Sequence, residues 1–251
     1  KDTWRDLRLH SQVIVDIYCG VLMIISTIDK IMSQLVVYKS NWLIEAAYKT
    51  TLNEQRLILA MIAKVDPMKE LPKTFTLTVE EFLTFFPSIG EKNAARELKK
   101  AAESLWDRTI IVKDPKRKRW FRWVQERAEY KDGTVEIMFS NQVAPYLINL
   151  RDNFTRYQLS KIAHLKSSYS IRLFELLRQF EFKQERVISL EELRIMLQIE
   201  DKYKDFRDLN KWVLKPAIDE LNQKTHYVIT LKTLKILRRV THIQFYFTIV
   251  T

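Results

Sequence analysis

An α+β architecture, with two helix-turn-helix units in tandem and a β-hairpin attached to each, is the fold that this 251-residue sequence predicts. Three observations point to it. The order helix, strand, helix, helix, strand, basic hairpin, strand reads once through the first half and again through the second. A carboxylate-rich helix start recurs at equivalent places, Thr78-Val-Glu-Glu81 and Ser189-Leu-Glu-Glu192. Finally, Leu98-Lys99, Ala101, Leu105, Thr109 and Val112 align with Leu214-Lys215, Ala217, Leu221, Thr225 and Val228 at one fixed offset, at which Arg56-Leu57 also meets Arg172-Leu173. Chance similarity between amphipathic helices does not preserve order, caps and offset together, so the chain reads as a tandem pair of winged helices.

Each element has a local cause. Residues 43–65 form two helical pieces broken near Thr50-Thr51, with Leu57, Met61 and Val65 at four-residue spacing. Pro67 and Pro72 then enforce a loop. Phe75-Thr-Leu is a short strand, and Thr78 with Glu80-Glu81 starts a helix, its carboxylates near the positive end of the dipole. Pro87 and Gly90 end it. Asn93 opens the next helix, to Leu105, which buries Ala94, Leu98, Ala101 and Leu105. Strands are expected over 109–112 and 120–126, joined by the connector Lys113 to Arg119. Asp132-Gly133 turns the chain into a strand over 134–139. In the second half residues 169–180 are an amphipathic helix, Val187-Ile188 a strand, and 203–221 a helical stretch that Pro216 should kink. Strands over 226–231 and 241–250 follow, with residues 232–239 between them. The expected division is 1–34 as an N-terminal extension, 35–150 as one winged helix and 151–251 as the other, joined through residues 140–160. The chain begins with Lys1, and Met32 is read as its natural start, with residues 1–31 upstream of it.

Composition narrows the function classes. Hydrophobic residues make up 47% and charged residues 29%, enough for a packed core and against disorder. The three glycines, Gly20, Gly90 and Gly133, leave no phosphate-cradling glycine loop. The single Cys19 excludes a disulfide framework and a CxxC metal site, and fits a reducing cytoplasm. The apolar run over 13–28 is interrupted by Asp16 and Ser26 and is shorter than the roughly 20 residues a membrane span needs, so no membrane partner is expected. Forty-two Lys+Arg against 31 Asp+Glu give a net charge of +11, which points to a polyanion, nucleic acid before membrane.

The basic residues are placed for that partner. Lys204, Arg207, Lys211 and Lys215 step by three, four and four residues along one helix face, with Asn210 beside them. In a winged helix that face enters the major groove, where arginine bonds guanine in bidentate fashion. Asp208 in the stripe either accepts from a cytosine or pairs with Lys204 or Lys211. The first half offers Lys92, Asn93, Arg96 and Lys99 on the equivalent helix. Its hairpin carries five basic residues against one acid, with Lys116, Arg117, Lys118 and Arg119 at its end, as a wing that grips phosphates would. The second hairpin has Lys232, Lys235, Arg238 and Arg239, with Leu234, Ile236 and Leu237 interleaved. Trp106, Trp120, Trp123 and Trp212 read as core aromatics, Trp120 being the candidate exception beside a basic wing.

Enzymatic constellations are not found. His10, His164, His226 and His242 form no metal-ligand pattern, and the Glu80-Glu81 and Glu191-Glu192 pairs fit caps better than catalysis. No enzyme activity, cofactor or metal is expected.

The run Ala46-Ala47-Tyr48 with Leu52-Asn-Glu-Gln-Arg-Leu57, then Phe154-Thr-x-Tyr157, Ser167-Ser-Tyr-Ser-Ile-Arg-Leu-Phe-Glu-Leu-Leu177 and Val213-Leu-x-Pro-Ala-Ile-x-Glu-Leu-Asn-x-Lys-Thr225, resembles the replication initiator (Rep) proteins of iteron-containing bacterial plasmids, of the RepA/RepE type. The similarity covers roughly residues 35–250. It implies two winged helices that bind direct repeats in origin duplex DNA in the bacterial cytoplasm, open the origin, and recruit the host initiator DnaA and the replicative helicase. It also implies a homodimer that represses its own gene, in equilibrium with an origin-binding monomer. By position, Lys204 to Lys215 would be the main base-reading element, with Arg207 and Lys211 contacting bases. Two departures stand out: residues 1–31 have no counterpart, and the last hairpin has Ile236-Leu237 where related sequences carry a basic turn with glycine. The alternative in class is a winged-helix transcriptional repressor without a part in initiation; a basic scaffold for acidic proteins is a third.

Overall fold

The computed structural model describes residues 30, 32–113 and 116–250. The N-terminal extension expected ahead of Met32 falls on residues of which all but Lys30 lie outside that set.

The chain enters through β1 (Val36–Ser40) and a short helix α1 (Asn41–Glu45). The first repeat unit is α2 (Leu52–Ile62), β2 (Phe75–Leu77), α3 (Val79–Phe85) and α4 (Glu91–Leu105). Two hairpins follow it, β3 (Thr109–Lys113) with β4 (Lys118–Arg122), and β5 (Val124–Glu129) with β6 (Val135–Phe139). After β7 (Phe154–Gln158) comes the second unit: α5 (Ser168–Arg178), β8 (Glu185–Ser189), α6 (Leu190–Leu197), α7 (Phe206–Leu209), α8 (Lys215–Lys224), β9 (Tyr227–Ile236) and β10 (Arg239–Ile249). Three helices begin on reciprocal caps, Thr51 with Glu54, Thr78 with Glu81 and Ser189 with Glu192, so the cap signals mark real helix starts.

Sheet pairing establishes the repeat. The strand order is β2-β6-β5 in the first unit and β8-β10-β9 in the second, all antiparallel. In both, the strand between the first two helices pairs with the last strand of the unit. Tandem winged helices are therefore the fold, as expected. Leu98, Ala101 and Leu105 are buried as Leu214, Ala217 and Leu221 are.

Three expectations need correction. The stretch 120–126 is two strands in different sheets, because the chain bends at the fully buried Trp123. The wing of the first unit is consequently the β5–β6 turn around Asp132-Gly133, and the basic β3–β4 hairpin is an addition to the winged helix. Gly133, at φ 86, lies where a Cβ would come within 3.0 Å of Val79 Cγ2, so a bare backbone lets this wing sit on α3. The fixed-offset match fails here too: Val112 is buried in the added hairpin, whereas Val228 is exposed in the wing sheet. Finally, residues 232–239 are mostly strand. β9 and β10 run to a two-residue turn at Leu237-Arg238, with a bulge between Val240 and His242.

The joining segment is also structured. β7 returns to pair antiparallel with β1, Val37 opposite Tyr157 and Lys39 opposite Thr155. This ribbon brings Lys39 onto the second unit, where its Nζ donates to Glu175 Oε1 at 2.8 Å and to the Tyr48 hydroxyl at 3.2 Å. Tyr157 donates to the same Glu175 oxygen at 2.7 Å. Arg172 of α5 lies 3.9 Å above the Tyr48 ring, bonds its hydroxyl, and donates to the carbonyls of Ala46 at 2.9 Å and Met196 at 3.3 Å. Arg56, its mate in the sequence repeat, does the converse from α2, donating to the Leu165 carbonyl at 3.0 Å and to Ser88 Oγ at 2.7 Å. Burial pulls the Arg56 guanidinium down to about 10. A third bridge joins Arg186 of β8 to Glu45 at 2.8 Å.

The junction is thus charged as well as apolar, and Lys39, Arg172 and Glu175 are all buried. Burial alone would raise the Glu175 carboxyl, but Lys39 and Arg172 outweigh it and hold the group below its ordinary range. A depressed folded-state pKa contributes stability that is complete above the unfolded value, about 4.3, and is lost as pH falls through the folded one. Glu175→Gln leaves two buried cations without their counter-ion and should cost about 3–5 kcal/mol in urea unfolding at neutral pH. It should also flatten the acid side of the stability profile; an acid side identical to the parent's would assign that limb to other carboxylates.

Candidate nucleic-acid interface

The second helix of each helix-turn-helix is the candidate reader, and the two differ in how freely their cations project. In the first unit α4 buries Ala94, Leu98, Ala101, Ala102 and Leu105, leaving Lys92, Asn93, Arg96, Lys99 and Lys100 on exposed positions. Arg96 donates to Asn93 Oδ1 at 2.7 Å and lies 3.4 Å from Glu97. Lys99 is drawn aside to Glu129 of β5 at 2.9 Å and Glu103 at 3.8 Å. The bond to Glu129, then the two carboxylate charges, hold Lys99 above the ordinary lysine range. Lys100 is a further exposed cation that the four-and-three spacing passed over.

The added hairpin places Lys116, Arg117 and Lys118 on exposed positions. Arg119 is partly buried and bonds the Tyr146 hydroxyl, with Tyr146 stacked on Phe121 at 5.9 Å. Asp114 and Pro115 at its end lie outside the described residues. Lys113 and Lys118 face Trp42 and Glu45 of α1 and Glu192, Ile195 and Met196 of α6 across a cleft of about 350 Å³. This hairpin therefore stands at the border of the two units.

In the second unit the reader begins later than its charge pattern suggests. Tyr203 takes a left-handed conformation, φ 50, and Arg194 donates to the carbonyls of Tyr203 and Lys204 at 2.9 and 2.8 Å. Lys204 is accordingly held in the loop ahead of α7, not on the helix. Pro216 produces a π-helical turn over Asn210–Leu214, closed by the Lys215 N–H donating to the Asn210 carbonyl. The added residue in that turn accommodates the amide missing at Pro216. It leaves Arg207, Lys211, Trp212, Lys215 and Asp219 exposed, with Asn210 half-buried and Leu209, Val213, Leu214, Ala217, Ile218 and Leu221 buried. The Arg207 side chain is 87% exposed and lies 3.7 Å from Asp208, whereas Lys215 is tied to Asp219 at 2.8 Å. Lys232, Lys235, Arg238 and Arg239 are all exposed along the β9–β10 wing.

Two exposed aromatics, Trp106 and Trp212, escaped the sequence reading, which sets only Trp120 apart from the core. Trp123 is core, as expected, but Trp106, Trp120 and Trp212 are 43%, 61% and 57% exposed. Lys118 Nζ sits 5.0 Å from the Trp120 ring and Lys211 Nζ 4.6 Å from that of Trp212. The signal available for Trp212 was its position beside Lys211 and opposite the apolar stripe. Among the described residues no cluster of potential metal ligands occurs, and no helix is long and apolar enough to cross a membrane.

Fold and surface together define a protein of two locked winged helices, each presenting a basic helix at the position of a candidate reader. The chain belongs to the initiator replication protein family: residues 36–178 match the family described as Initiator Replication protein, WH1, and residues 189–247 that described as Initiator Rep protein, WH2. The first match passes the division expected at 150/151 and takes in β7 and α5. The chain is 34% identical over 202 residues to an Escherichia coli replication initiation protein, a match covering 76% of this chain and 63% of that relative's length. It is 33% identical over 110 residues to the Escherichia coli PI protein, covering 38% of this chain and 36% of the relative. Among solved structures, the Pi initiator protein in complex with iteron DNA superposes with a TM-score of 0.73 at 21% identity, covering 87% of this chain and 98% of that one; at that identity the likeness carries the fold.

The pairing of Lys99 is directly measurable. NMR titration of its ε-ammonium should give a pKa above the ordinary value of about 10.4. Glu129→Gln should bring it down toward that value; an unchanged titration would remove Glu129 as the cause.

Proposed function

We propose that this chain initiates replication of a plasmid or other small replicon by reading direct repeats, iterons, in duplex origin DNA. The observation that carries the reading is the joining of two basic reader helices into one body by the reciprocal arginines Arg56 and Arg172, on a chain of the initiator family. Two readers entering major grooves one helical turn apart would suit a site of roughly two turns, about 20 base pairs. Arg207 and Lys211 are the base-contacting side chains, supported by the exposure of the first and the position of both on the free face. Lys204, Asn210 and Lys215 flank them. Lys92, Asn93, Arg96 and Lys99 belong to the second reader. Phosphates are held by Lys116, Arg117, Lys118 and Arg119 on the added hairpin, and by Lys232, Lys235, Arg238 and Arg239 on the wing. The protein acts without a cofactor, in the bacterial cytoplasm. The family reading extends to a homodimer in equilibrium with a monomer, and to DnaA and the replicative helicase as partners in origin opening.

The test is selection of duplexes from a random pool at about 0.15 M salt, a concentration at which sequence-blind electrostatic binding is weak, followed by footprinting. Recovery of one motif of two turns, repeated head-to-tail on a replicon that depends on the protein, is the expected result. Dependence on the motif for repression alone would move the chain to the repressor class. On the selected site Arg207→Ala should cost about 1–3 kcal/mol and relax discrimination at one position. Equal losses on selected and random DNA would make Arg207 a phosphate contact.

A further inference from the structure

The end of the β9–β10 wing carries a side chain that core packing does not explain. Leu237 is 97% exposed and Ile236 63% exposed. A lone exposed leucine is ordinary. This one, however, occupies a turn position at φ 55, where glycine or asparagine sits with least cost. It is ringed by Lys235, Arg238 and Arg239, with Lys232 further down the strand, and residues 221–251 contain no Asp or Glu. Among the described residues none of these four cations has an ion-pair partner.

The wing also reaches far enough to enter a groove. Ile243, opposite Thr233, is the fully buried residue nearest the turn, and Leu237 lies four positions beyond Thr233. At about 3.3 Å per residue the turn stands roughly 13 Å beyond that pair, and about 7 Å beyond the partly buried Val240, opposite Lys235, which still packs against the core. The minor groove of B-DNA is about 7.5 Å deep. The bulge between Val240 and His242 adds local twist to the ribbon just below its end.

An apolar side chain inside a collar of cations complements a surface whose rails are anionic and whose interior is apolar. Duplex DNA has that construction, with stacked bases behind two lines of phosphates. Apolar side chains that enter from the minor groove unstack a base step and kink the duplex. We propose that Leu237 is such a wedge: Lys235, Arg238 and Arg239 take the flanking phosphates, and Leu237 inserts between two base pairs and bends the DNA. The inference rests on the duplex-reading function above and adds a deforming role to it, at a residue outside the base-reading helix.

The experiment uses the full chain and the duplex recovered by its own selection. 2-Aminopurine is walked along one strand to report unstacking, and end-labelled donor and acceptor dyes report bending. The parent should raise fluorescence at one step outside the major-groove footprint of α7 and α8 and shorten the end-to-end distance. Leu237→Asn, which suits the turn but is polar, should lose both signals while keeping the footprint; Leu237→Met should keep both. A Leu237→Asn protein that unstacks and bends as the parent does would overturn the wedge, as would a parent that unstacks no step. A substitution that alters self-association in sedimentation and leaves DNA shape alone would reassign the tip to a protein contact and overturn it too. Failure of the parent to prefer any duplex would instead overturn the DNA-reading function itself. A thermal melt of Leu237→Asn at or above the parent's confirms that the comparison is between folded proteins.

Discussion

Everything that the two winged helices do jointly depends on a few charged side chains buried where they meet. Arg172 reaches out of α5 to the Ala46 carbonyl and the Tyr48 hydroxyl, and Arg56 reaches out of α2 to the Leu165 carbonyl. These are the same position of the two repeats, so each unit holds the other with the same residue. Glu175 and Lys39 complete the set through the β1–β7 ribbon. A buried ion cluster of this kind adds little net stability over an apolar filling, because desolvation consumes most of its Coulombic gain. What it does supply is direction. Guanidinium and carboxylate groups accept few geometries, whereas an apolar contact tolerates sliding, so the spacing of the two reader helices follows from the hydrogen bonds at the junction.

The surface shows how a net charge of +11 divides between field and contact. Lys99, Lys215 and Arg119 are held by partners within the protein, through Glu129, Asp219 and Tyr146. They still add to the long-range potential that attracts a polyanion. Arg207, 3.7 Å from its neighbour Asp208, Lys211, over the ring of its neighbour Trp212, and the cations of the β9–β10 wing are tied to no other element among the described residues and are available for direct contact. The two reader helices are therefore unequal, with the freer one in the second unit. Trp212 sits within that freer face, next to Lys211, and enlarges it with a flat apolar surface.

The two units also differ in their hairpins. The second has one, which is its wing. The first has its wing at Gly133 and an additional basic hairpin whose Ile111 is bonded to Ala47 through both backbone groups, at 2.9 Å each. That attachment draws the hairpin toward α1 and the second unit. The most basic segment of the first half is thereby displaced from the end of its own sheet to the border between units.

How much of this was legible in the sequence follows from the range of the forces involved. Caps, helix periodicity and the Asp132-Gly133 turn are contests among neighbouring residues, and Thr51, Thr78 and Ser189 settle them locally. The repeat itself, down to the matched Arg56 and Arg172, was visible as a fixed offset. Which hairpin is the wing was not, because pairing of β2 with β6 joins residues some sixty positions apart, and two hairpins with similar alternation compete for that place. Nor could charge spacing reveal that Lys99 is spoken for by Glu129, or that Arg194 holds Lys204 in a loop, since both partners come from other elements. The sequence by itself determined the capped helices, the repetition of the winged-helix order and the basic character of the reader helices. The tertiary structure alone decided which cations remain free and that Arg56 and Arg172 join the two halves, because both depend on contacts between segments that only folding brings together.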